Sequence, residues 1–121
     1  MTYEALETLL RKAVTAATEL RESSGAKRQL AMYGKKELKG SGGKLAQTYV
    51  AGIVEQKGYV GFYFFPIYTH PSAFADIPES LRALLKGKSC FHLRDLDAAR
   101  QKQVAALLKK GIALYRTEGL I

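Results

Sequence analysis

The chain reads as an α+β domain, a two-layer structure in which helices cover one face of an antiparallel sheet, with elements in the order α-β-β-β-α-β-α. Three observations predict it. Residues 59–94, YVGFYFFPIYTHPSAFADIPESLRALLKGKSCFHLR, set two stretches of β-forming residues around a helix begun by Pro78. Apolar residues recur at three-and-four spacing near both ends of the chain, as in helices that bury one face. The stretches Leu45 to Glu55 and Tyr59 to Tyr68 are joined through Gln56, Lys57 and Gly58, a spacing suited to a tight antiparallel hairpin.

Taken in order, Thr2 can cap a first helix whose buried face is Leu6, Leu9, Leu10, Ala13, Val14 and Ala17, stopped by Ser23, Ser24 and Gly25. Gln29 to Gly34 is a short strand, and Lys35 to Lys44 a loop rich in Lys and Gly. The two hairpin strands follow. Pro71 closes that region, and Pro78 stands in the first turn of a helix that turns Leu81, Leu84 and Leu85 inward and ends at Gly87. Ser89 to Arg94 is a short strand. Asp95 or Asp97 caps the last helix, in which Val104, Leu107, Leu108, Gly111 and Tyr115 share one face. Gly111 costs helix propensity of about 1 kcal/mol relative to Ala, so close approach to the sheet is the expected reason for it.

The 121 residues suffice for one domain spanning 1–121, and 47% hydrophobic with 25% charged content matches a folded globular chain. One cysteine, Cys90, leaves no intrachain disulfide, and no apolar run approaches the roughly 20 residues that cross a bilayer. The N-terminal stretch lacks the pattern of a secretory signal, so a cytoplasmic location without membrane contact is expected. Charge is concentrated. Residues 27–44 carry Lys27, Arg28, Lys35, Lys36, Lys39 and Lys44 against Glu37, and residues 82–94 add Arg82, Lys86, Lys88 and Arg94. Together they exceed the whole formal charge of +8. Such a field attracts anionic partners.

A two-layer domain leaves one sheet face open. Alternation assigns Phe91 and Leu93 to one face and Cys90, His92 and Arg94 to the other. In the aromatic strand Val60, Phe62 and Phe64 form the core row, and Tyr59, Tyr63 and Phe65 point the same way as Cys90 and His92. A face so rich in rings is more apolar than water favours, so a ligand, a second subunit of a homodimer or a covering loop is expected over it. Residues 69–75 are the nearest loop.

The expected site therefore comprises Tyr63, His70, Cys90, His92 and Arg94, with Lys86 and Lys88 supplying charge at its rim. Cys90 and His92 can act together as thiolate and base or as two metal ligands, although no further ligands stand at a recognisable spacing. The alternatives are a small buried hydrophobe for Cys90 and a hydrogen-bonded turn residue for His70. The loop GKKELKGSGGK departs from a phosphate loop, which needs Gly at Leu38 and a hydroxyl at Leu45. Lys86-Gly87-Lys88-Ser89 fits an anion better.

The blocks YVGFYFFPIYTHP, LLKGKSCFHLR and LLKKGIALY resemble the YdhG-like domain-of-unknown-function family over residues 45–116. That resemblance implies a small α+β domain with terminal helices against an antiparallel sheet and, for most members, no established activity, with frataxin-like iron delivery proposed within the family. Frataxin-type proteins hold iron through clustered carboxylates, and Glu4, Glu7, Glu19 and Glu22 are the acids of the predicted first helix. A binding protein for a small ligand or protein partner is thus the leading expectation. Nucleic-acid or anionic-ligand binding through the basic stretches is the second, and a thiol enzyme using Cys90 with His92 the third.

Overall fold

A computed structural model describes residues 2–25 and 28–121, so Lys27 of the first basic stretch lies outside the described residues. Six strands form one antiparallel sheet: β1 (Leu20–Ser23), β2 (Gln29–Lys39), β3 (Leu45–Gln56), β4 (Tyr59–Phe64), β5 (Leu85–Lys86) and β6 (Cys90–Leu93), in the spatial order β1-β2-β3-β4-β6-β5. The long helices α1 (Thr2–Ala16) and α4 (Ala98–Thr117) lie together on one face, and α2 (Pro66–Thr69) and α3 (Glu79–Arg82) are single turns. The α+β, two-layer expectation is met. No helix among the described residues is long and apolar enough to cross a membrane.

Strand parity follows the alternation read from sequence. Val60, Phe62 and Phe64 on β4 and Phe91 and Leu93 on β6 are buried under the helices. They meet Leu6 and Leu10 of α1 and Val104, Leu107, Leu108 and Tyr115 of α4 in one continuous core. The cap of α4 is Asp97, whose carboxylate accepts from Arg100 N at 2.8 Å. Gly111 fulfils its expected role: a Cβ there would stand 2.7 Å from both Phe64 Cζ and Pro66 Cγ.

Four boundaries differ from the sequence reading. The first helix ends at Ala16, and Leu20–Ser23 forms an edge strand on β2 instead of a last helical turn. The ladder offered by β2 satisfies the backbone of this segment while Leu20 enters the core, which outweighs weak helix propensity around Thr15 and Thr18. Residues 35–39 are not loop but the continuation of β2, paired through Glu37 to Gln47 and Lys39 to Leu45. The aromatic strand stops at Phe64, because Pro66 cannot donate to a ladder and opens α2. Leu85 leaves the predicted helix for β5, and Gly87, at φ 74°, forms the β5–β6 turn rather than a helix cap.

One irregularity matters more than these. Met32 pairs with Ala51 and Tyr33 with Tyr49, so Val50 is an extra residue in β3. Val50 and Ala51 are both buried, and Tyr49 is turned to the face opposite the helices.

Candidate functional site: the open sheet face

Each strand contributes to the uncovered face through the residues that alternate with its core row. Tyr59 and Tyr63 come from β4, Cys90 and His92 from β6, Tyr33 from β2 and Tyr49 from the bulged β3. Two glycines make room for them. A Cβ at Gly52 would overlap the Tyr49 hydroxyl, and one at Gly61 would stand 3.2 Å from the Tyr63 ring and 3.5 Å from Cys90 Sγ. The rings therefore lie down over glycine backbone.

The result is a continuous row. Arg21 of β1 lies 4.7 Å above the Tyr33 ring, Tyr33 meets Tyr49 at 5.4 Å, Tyr49 meets Phe65 at 5.8 Å, and Phe65 meets Tyr68 at 5.4 Å. Lys88 closes the row 5.4 Å from the Tyr68 ring. The first two ring pairs are edge-to-face, the favoured arrangement for aromatic quadrupoles. Arg21 is further held by donating to the Gln47 side-chain oxygen. A second cluster stands beside the row, where Tyr59 stacks on His92 at 4.2 Å and Arg94 donates to the Gly58 carbonyl at 3.2 Å.

Charge is distributed unevenly between the two sides of the sheet. Glu22 and Glu55 take the parity of the core row and meet arginines there, Glu22 with Arg11 at 2.6 Å and Glu55 with Arg28 at 2.7 Å. The open face carries Arg21, Arg94 and Lys86, the last opposite Cys90 in the β5–β6 pair, against one acid, Glu37, which lies opposite Gln47 in the β2–β3 pair. Burial, with Tyr33, Tyr63 and Cys90 close by, raises the Tyr49 phenol above its ordinary range. Tyr63 is raised chiefly by the neighbouring Cys90 thiol. Burial likewise raises Cys90, and a hydrogen bond with Tyr63 only partly opposes it. These groups stay uncharged at neutral pH, so fixed cations set the sign of this surface.

The predicted site residues divide into two places. Tyr63, Cys90, His92 and Arg94 share the open face, with Lys86 beside them and Lys88 at the end of the aromatic row. His70 does not join them. Its Nε2 lies 2.7 Å from Glu118 Oε2, its Nδ1 2.8 Å from Thr69 Oγ1, and that hydroxyl 2.7 Å from the buried Tyr115 OH. A carboxylate only accepts, so Nε2 donates to Glu118. The chain therefore pins α2 to the end of α4.

The 69–75 segment, expected as a cover for the rings, runs toward the helices instead. Phe74 is buried edge-on against Phe64 at 5.3 Å. Tyr68, just ahead of the segment and nearly half exposed, reaches back to the open face. The segment turns inward because Phe74 gains more by entering the core than by lying on a surface already filled by tyrosines.

Thiol and metal chemistry find little to build on. A cysteine whose pKa is raised by burial supplies scarcely any thiolate at neutral pH. Native Cys90 should accordingly react with iodoacetamide at pH 7.5 several-fold more slowly than a free cysteine. Labelling at the free-thiol rate or faster would contradict this environment. Among the described residues no group of three or more His, Cys, Asp or Glu side chains is arranged to hold a metal ion. The acids at the N-terminal end are bound to arginines: Glu4 to Arg28 at 2.5 Å, Glu7 and Glu22 to Arg11, and Glu19 to Arg116 at 2.6 Å. Arg28 holds the Glu4 carboxyl down at about 2.

No family model, curated protein or solved structure matches the chain.

Sequence reasoning missed Arg21, Tyr33, Tyr49 and Tyr68 as members of this surface. Arg21 was hidden by reading its segment as helix. Tyr49 was hidden by the bulge, since plain alternation from Ala51 sends it to the core. Tyr68 carried a usable signal: an aromatic residue within a proline-started turn, three residues from Phe65 and placed to fold back on it.

Proposed function

We propose that this protein is a non-enzymatic binding module whose open sheet face takes single-stranded nucleic acid. The observation that carries the reading is the aromatic row from Tyr33 to Tyr68, ended at both sides by a cation. Stacking on rings and charge along a backbone are the two demands of a single strand, and every base offers a ring face whatever its identity. A formal charge of +8 and the confinement of Glu22 and Glu55 to the opposite side favour an anionic ligand over a neutral one. The blocks that resemble YdhG-like proteins supply Tyr59, Tyr63 and the Lys86 to Arg94 hairpin of this surface. The frataxin-like iron role gains no support from carboxylates already neutralised by arginine.

Fluorescence anisotropy with short oligothymidylate and oligouridylate, and with a duplex of equal length, tests the reading. Single strands should bind more tightly than duplex. With Arg21, Lys86, Lys88 and Arg94 as contacts, log K should fall against log salt with a slope of about −2 to −3. The reading is lost if no anisotropy change occurs at low salt, or if affinity ignores salt.

A further inference from the structure

A different surface lies across the molecule, between α1 and α4. Ala13 and Ala16 of α1 and Ala105 of α4 carry only methyl groups, so the two helices leave a groove of about 460 Å³ between them. Its floor is aliphatic, with Leu108 and Ile112 buried beneath it. Two cations, Lys12 and Lys109, stand at its rim. Neither takes part in an ion pair among the described residues, whereas the third cation lining the groove, Arg116, is held by Glu19 at 2.6 Å.

We propose that this groove binds a single aliphatic chain ending in a carboxylate, the anion of a medium-chain fatty acid. The volume lies within the range of small-molecule sites, which runs from about 300 to 1,000 Å³. A hydrocarbon floor between two helices suits an acyl chain, and two ammonium groups unpaired among the described residues at the edge suit a carboxylate in solvent reach. The alanines have their own consequence, since larger side chains at these positions would close the space between the helices.

Isothermal titration with octanoate, decanoate, dodecanoate and dodecanol, each below its micellar concentration, tests the assignment. Dodecanoate should bind in the micromolar range, each two-carbon extension should tighten binding about tenfold, and dodecanol should bind at least tenfold more weakly. Lys12→Glu combined with Lys109→Glu should weaken dodecanoate at least tenfold. Ala105→Phe should abolish binding while circular dichroism and Tm stay near the parent values; Ala16→Phe serves if that variant does not fold. Absence of dodecanoate binding overturns the assignment, as does equal affinity for dodecanol or unchanged affinity in a folded groove-filling variant.

Discussion

Replacing Gly111 with alanine should destabilise the domain by about 1–2 kcal/mol, although alanine is the better helix former by about 1 kcal/mol. The competition is decided by what the new methyl meets. A Cβ at 111 would lie 2.7 Å from Phe64 Cζ and 2.7 Å from Pro66 Cγ. Neither is the free end of a flexible chain: Phe64 is fully buried between Phe62 and Phe74, and Pro66 is a rigid ring at the start of α2. Relief requires α4 to move off the sheet, and overpacking of this kind costs about 1–3 kcal/mol. Gly111→Leu should cost more than about 3 kcal/mol by the same route. Urea denaturation measures both, with the midpoint falling and the slope unchanged. A stabilised alanine variant would mean that α4 does not pack this closely.

The double variant Tyr33→Ala, Tyr68→Ala should weaken single-strand binding by at least tenfold, and by several hundredfold if both rings carry a base. Base stacking on an aromatic side chain is worth about 1–3 kcal/mol by alanine substitution. The two positions bracket the row: Tyr33 lies beneath Arg21 and Tyr68 beside Lys88. Neither ring belongs to the core between sheet and helices, so the midpoint of thermal unfolding should move far less than the affinity. Arg21→Glu with Arg94→Glu separates the electrostatic share, since it should flatten the salt dependence while leaving the rings in place. Unchanged affinity in the tyrosine variant would remove stacking from the proposal, whatever the charge variant does.

Much of this face is legible in the sequence itself. Period-two alternation in the stretches around Phe62 and Phe91 placed Tyr59, Tyr63, Cys90 and His92 together, because a strand has only two sides and the large apolar row must take the buried one. His70 could not be placed the same way. It follows a proline-started turn, where no periodicity holds, and the partners that draw it toward the helices, Tyr115 and Glu118, are more than forty residues away. Arg21 and Tyr49 were out of reach for related reasons. A four-residue strand with one buried leucine resembles a helix end, and a bulge reverses parity without any mark in composition.

Local chemistry alone therefore determined the α+β class, the hairpin from β3 to β4, a cap at Asp95 or Asp97, the close approach at Gly111 and the parity of the aromatic strand. Each was marked by residue types and spacings within a few residues, even where, as at Gly111, the partner lies far off in the chain. Tertiary structure decided which rings touch, which carboxylates are consumed by arginines, and where the 69–75 segment lies. Those outcomes rest on contacts between residues distant in the chain, whose energies compete only once the sheet and helices have been brought together.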